Sequence, residues 1–157
     1  MTQTGTRSRR RSNSGFTHRN LPLLLLRARE RVMAQFRPIL NEQGVTEQQW
    51  RIVRALLETG PLEPREIVTL CGISSPSLAG VLARMEELGL VSRERLDHDQ
   101  RRVKVSVTSR SRALAVRIAP KIEAAYAEIE VQIGAKFTCQ LYHMLDQLLT
   151  ALESPDR

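Results

Sequence analysis

The sequence predicts a mainly α chain with one small antiparallel β hairpin. Apolar residues recur at helical spacing through six segments. Two short stretches around Asp97 to Arg102 alternate or bound like strands. Just before them, Gly72-Ile73-Ser74 separates two short helical segments, a connection tight enough for a helix-turn-helix.

The first helix is expected from Leu21 to about Asn41. Pro22 suits a first-turn position, Leu25, Val32, Phe36, Ile39 and Leu40 continue the pattern, and Pro38 loosens the end. Leucines at 23 to 26 cover every side of one turn, which asks for cover on all sides. In a chain of 157 residues a second subunit is the simplest cover. The second helix starts at a capping box: Thr46 is the N-cap, Gln49 reaches back, and Val45 and Trp50 occupy the staple positions. Trp50, Val53 and Leu57 form its inner face to about Glu58.

After Thr59-Gly60-Pro61, a short helix is expected over Pro64 to Cys71, with Ile67, Val68 and Leu70 inward and Gly72 ending it. The fourth helix is expected with Ser75 as N-cap and Pro76 at N1. Leu78, Val81, Leu82, Met85 and Leu88 share a face, and Gly89 ends it. Strands are expected at Leu90 to Leu96 and Val103 to Val107, joined by the polar loop Asp97-His98-Asp99-Gln100-Arg101-Arg102. Thr108 caps a long fifth helix with Leu114, Ile118, Ile122, Tyr126, Ile129 and Ile133 in line and a kink at Pro120. Thr138 is expected to cap a sixth helix bearing Leu141, Leu145, Leu148, Leu149 and Leu152.

Helix, tight turn, helix and basic hairpin in that order define a winged helix-turn-helix, here from about Glu63 to Val107. Opposite the apolar stripe of the fourth helix lie Ser77, Gly80, Arg84 and Glu87. Hydroxyls at a helix N-terminus suit phosphates, small residues permit close approach to a groove, and Arg84 reaches a base edge or phosphate. An arginine at the hairpin tip suits the narrow minor groove, and Asp99 is spaced to orient Arg101. The expected DNA-contacting set is Ser74, Ser75, Ser77, Gly80, Arg84, His98, Asp99, Gln100, Arg101, Arg102 and Lys104. The bland readings are a plain surface helix and a solvated hairpin; the two features together favour DNA.

Charge alone is weaker evidence. The chain has 24 Lys and Arg against 17 Asp and Glu, but Arg7, Arg9, Arg10, Arg11 and Arg19 stand in the first 20 residues with no acid. The other 137 residues carry 19 basic and 17 acidic side chains. The expected organisation is a basic flexible tail over residues 1–19, a dimerisation helix over 20–45, a DNA-binding lobe over 46–107, and C-terminal dimerisation helices over 108–157. Leu21, Leu24, Leu25, Ile129, Leu145, Leu148 and Leu149 are expected at the dimer interface.

From Leu21 to Leu152 the chain resembles the MarR family of bacterial regulators. The resemblance rests on Ser75-Pro76-Ser77-Leu78, Met85-Glu86-Glu87-Leu88-Gly89-Leu90-Val91, Asp99-Gln100-Arg101 and Val105-Ser106-Val107-Thr108. It implies that Arg101 is the minor-groove arginine of the wing and Asp99 its partner. The chain departs from the family at Leu78-Ala79-Gly80, where Thr-Arg is frequent. Leu24 to Glu30, Phe36-Arg37-Pro38-Ile39 and Thr46 to Arg54 resemble regulators of homoprotocatechuate-type aromatic degradation, with nicotinate-degradation regulators as further kin. Such relatives are repressors released by a small aromatic acid or a related catabolite, bound where the dimerising helices meet the DNA-binding lobe.

An aromatic carboxylate needs a flat apolar slot and a cation. Met33, Phe36 and Trp50 are candidates for the slot, Arg51, Arg29 and Arg19 for the cation, and His18 for a donor. The expected function is a sequence-specific repressor that binds a pseudo-palindromic operator as a homodimer and is released by an aromatic or pyridine carboxylate. The competing readings are a thiol redox sensor using Cys71 or Cys139, and an architectural DNA-binding protein without a ligand. Both cysteines read as packing residues. An enzyme is not expected: no phosphate loop, metal pattern or nucleophile motif occurs, and His18, His98 and His143 lie far apart in sequence. No cofactor, metal or membrane span is expected, and the location expected is cytoplasmic.

Overall fold

The computed structural model describes residues 15–96 and 99–153, with the side chains of residues 99–101 outside the description. Six helices and one hairpin follow in order: α1 (Leu21–Glu42), α2 (Glu47–Thr59), α3 (Pro64–Cys71), α4 (Ser75–Glu87), β1 (Val91–Leu96), β2 (Asp99–Val107), α5 (Ser109–Ile133) and α6 (Ala135–Leu152). No single helix among the described residues is long and apolar enough to cross a membrane.

Local chemistry sets most boundaries. Asn20 caps α1, accepting from the Leu23 N–H at 3.0 Å. The capping box of α2 is complete: Gln49 N–H donates to Thr46 Oγ1 (3.2 Å) and Thr46 N–H to Gln49 Oε1 (3.0 Å). Gly72 ends α3 in the left-handed region, where a side chain would be strained. Thr108 caps α5 and its hydroxyl also donates to Gly89 O at 2.6 Å, fixing α5 to the end of α4.

Four boundary expectations and one burial expectation need correction. Ser74, with an extended backbone, is the N-cap of α4, so Ser75 and Pro76 are the first helical residues. Gly134, not Thr138, is the N-cap residue of α6; Thr138 lies in the first turn and donates to Gly134 O at 3.1 Å. The hairpin is longer than its alternating valines suggest: β2 begins at Asp99, which pairs with Leu96 after a register shift at Arg95 and Leu96. Gln100, Arg101 and Arg102 are therefore strand residues, and β1 starts at Val91 instead of Leu90. Leu70 is 55% exposed, not inward. Asp97 and His98, expected at the tip, lie outside the described residues.

Two apolar clusters form the interior. The larger joins α2, α3, α4 and the hairpin through Ile52, Val53, Leu56, Ile67, Leu82, Met85 and Val105. The smaller joins α1 to α5 through Phe36, Leu40, Ile118, Ile122 and Ala125. Trp50 packs against both. By contrast α6 has no buried residue in the single chain, and Leu21, Leu23, Leu25 and Leu26 of α1 stand open.

Candidate DNA-binding lobe and ligand pocket

α3 and α4 are held against one hairpin. Leu78, Leu82 and Met85 bury the inner face of α4, which leaves Ser77, Ala79, Gly80, Ala83, Arg84 and Glu87 exposed. A Cβ added at Gly80 would meet nothing within 4 Å, so this face is smooth and open. Ser74 Oγ donates to Ser77 Oγ at 2.9 Å, and Arg84 pairs with Glu87 at 2.9 Å. Ser75 is exposed beside them at the helix start, where unpaired backbone N–H groups favour an anion.

Among the described residues, an ion pair from each strand ties the hairpin to the helices. Arg93 of β1 donates to Glu86 of α4, with Nε at 2.8 Å. Arg102 of β2 donates through Nε (2.9 Å) and Nη2 to Glu63, the N-cap residue of α3. Hydrogen bonding from Arg102 lowers the pKa of the Glu63 carboxyl from its ordinary value, so the pair's contribution is present above the ordinary carboxylate pKa and is lost as pH falls through the lowered one. Lys104 is half-buried across from Glu94. The side chains of Asp99, Gln100 and Arg101 lie outside the description, so their expected pairing receives no structural account.

A cavity of about 410 Å³ opens between α1, α2 and α5. Met33 and Phe36 of α1, Trp50 of α2, and Ile122 and Tyr126 of α5 form apolar and aromatic walls. The Phe36 and Tyr126 rings lie 4.8 Å apart and tilted by 56°. Glu47, Arg51, Arg54 and Glu58 recur at helical spacing on α2 and line one side as an acid-base-base-acid stripe. Of the seven residues expected to hold a ligand, Met33, Phe36, Trp50 and Arg51 meet here.

The other three do not. Arg29 is taken up by Glu30 (2.9 Å) and Glu47, and lies outside the lining. His18 and Arg19 are exposed and absent from the wall formed by this one chain. Arg51 is committed as well: it pairs with Glu47 at 2.8 Å and caps α3 through Cys71 O at 2.7 Å. Arg54, absent from the expected set, pairs among the described residues with the exposed Glu58 one turn away. Tyr126, expected on the apolar stripe of α5, is 41% exposed and lines the cavity. The signal for both was available, since Arg54 lies one helical turn from Trp50 and Tyr126 one turn from Ile122.

The cysteines divide. Cys71 is buried, and that burial pushes its thiol pKa up, which disfavours the reactive thiolate. Cys139 is exposed in the single chain, contrary to its reading as a packing residue, because the face of α6 is uncovered. No group of three or more His, Cys, Asp or Glu is placed to hold a metal among the described residues.

A helix-turn-helix with an attached β hairpin, flanked by helices that leave apolar faces open, defines a winged-helix DNA-binding regulator. The chain belongs to the MarR family, whose members bind DNA and form dimers; residues 43–102 match that family. It is 42% identical over 132 residues to the homoprotocatechuate degradative operon repressor of Escherichia coli, covering 84% of this chain and 89% of that one. It is 40% identical over 131 residues to the HTH-type transcriptional regulator FarR of Neisseria gonorrhoeae, covering 83% and 90%. Among solved structures it is similar to NadR in complex with 4-hydroxyphenylacetate, with a TM-score of 0.77 at 37% identity over 87% of this chain and 97% of that one. These relatives are transcriptional regulators, not enzymes.

Proposed function

We propose that the protein is an operator-binding repressor released by a small aromatic carboxylate held in the α1–α2–α5 cavity. The observation that carries this reading is an aromatic slot of about 410 Å³ with a guanidinium on its wall. Arg54 supplies the anchor for the carboxylate, since Arg51 already serves Glu47 and Cys71 O. Glu47 lines the cavity two helical turns away, ~10 Å along α2. Arg54 and Glu47 on the same wall suit an aromatic acid that also carries a ring hydroxyl, as 4-hydroxyphenylacetate does.

Operator contact is assigned to the exposed face of α4 and to the wing, with Arg101 in the minor groove. Dimerisation is assigned to the open leucine-rich faces of α1 and α6. Within the expected interface set, Leu21, Leu25 and Leu149 are exposed, Leu24, Leu145 and Leu148 are half-buried, and Ile129 packs inside its own chain against the α1–α5 cluster. Two recognition helices then fall about one DNA turn apart, ~34 Å, on a two-fold symmetric site. Trp50 touches both apolar clusters and lines the cavity, so a ligand pressed on it acts on lobe and dimerising helices together. Ligand binding biases the pair away from that spacing.

The test is a thermal-shift screen of 4-hydroxyphenylacetate with other aromatic and pyridine carboxylates, followed by operator release with each hit. A hit that raises the melting temperature and releases DNA supports the reading. Tight operator binding that none of these acids weakens rejects it, and loss of DNA binding under mild peroxide would favour the thiol-sensor reading instead.

A further inference from the structure

Two ion pairs, Arg93–Glu86 from β1 and Arg102–Glu63 from β2, tie the root of the wing to the helix-turn-helix, and they differ in their surroundings. Arg93 and Glu86 are 38% and 41% exposed, the setting in which ion pairs contribute little. The Glu63 side chain is only 9% exposed. It accepts from Arg102 on one oxygen, and Arg65 Nε lies 3.2 Å from the other.

The backbone explains why Glu63 stands there. Leu62 exchanges hydrogen bonds with Val105 of β2, N–H to O at 3.1 Å and O to N–H at 2.8 Å, as an isolated antiparallel bridge. That bridge sets Glu63 alongside Lys104 and diagonal to Arg102. Pro64 then begins α3. Glu63 is thus the last residue before α3, adjoins the backbone bridge to β2, and is the ion partner of that strand.

We propose that Glu63 is a positioning residue for operator binding: through Arg102 it fixes the angle at which the wing leaves the helix-turn-helix. Arg102 then serves the root of the wing and not a DNA phosphate. The inference rests on the DNA-binding role of the lobe and is independent of the effector reading.

The two roles for Arg102 demand opposite signs at Glu63. By charge alone, deleting an acid beside a DNA-binding surface tightens binding. If Glu63 holds the wing in place, the same deletion weakens binding despite the added positive charge.

The full-length protein is measured by anisotropy against a duplex that the wild type selects from a random-sequence pool, at several salt concentrations, with thermal melts alongside. The variants are Glu63→Gln, Arg102→Gln, their combination, and the exchange Glu63→Arg with Arg102→Glu. Either single variant is expected to lose about fivefold or more in affinity, roughly 1 kcal/mol of binding. The combination is expected to be no worse than either single change, because both break one pair. The slope of affinity against salt stays at the wild-type value in Arg102→Gln, and the exchange recovers affinity. Equal or tighter binding by Glu63→Gln overturns the proposal. So does a salt slope reduced by about one in Arg102→Gln, or an exchange that restores the melting temperature without the affinity.

Discussion

The DNA-binding lobe and the helices that flank it solve the burial problem in opposite ways. The lobe closes on itself: Ile52, Val53, Ile67 and Met85 from three helices are wholly buried, and the hairpin adds Val91 and Val105. In α6, Phe137, Leu141, Tyr142, Met144, Leu149 and Leu152 remain more than a third exposed, and the first turns of α1 do the same with four leucines. Exposed apolar area on this scale is a liability in a monomer and an interface in an oligomer. On the proposed reading the lobe holds its shape by itself, a partner completes the flanking helices, and the cavity at their junction couples the two.

Breaking the lobe should have the largest effect. Ile52→Ala removes a fully buried side chain from the centre of α2 and should destabilise the protein by about 2–5 kcal/mol, read as a lowered denaturant midpoint. The double change Leu141→Asp with Leu149→Asp should leave the lobe folded, by circular dichroism, and shift the monomer–dimer equilibrium about a hundredfold or more in sedimentation. An unchanged sedimentation coefficient would mean that the open face of α6 is not the interface. Arg101→Ala should weaken operator binding by about tenfold with no change in melting temperature or dimerisation. Thr46→Ala deletes the hydroxyl cap of α2 and should cost about 1 kcal/mol, visible as a small fall in the denaturant midpoint.

The same contrast governs what the sequence made legible. In the lobe, caps and periodicity are local signals, so Thr46, Gly72 and the valines of β2 were readable from neighbours one turn or two residues away. Ser74 displaced Ser75 as N-cap because adjacent serines offer equal caps and only backbone geometry decides. The cavity was half legible. Trp50, Phe36 and Met33 announce an aromatic slot, but the choice among arginines depends on pairing across elements. Glu47 draws Arg29, Arg37 and Arg51 together, and this network leaves Arg54 as the less committed cation. Nothing in the spacing of Glu63 and Arg102, 39 residues apart, signals their contact; the Leu62–Val105 bridge creates it.

Effector release tests the central claim most directly. Wild type and Arg54→Ala are each bound to the selected duplex and titrated with 4-hydroxyphenylacetate and with the strongest hit of the carboxylate screen. The account predicts release from the wild type, operator affinity retained in Arg54→Ala, and at least about tenfold more ligand needed to release that variant. Release at the same ligand concentration from both proteins would contradict the assignment of the carboxylate to this cavity.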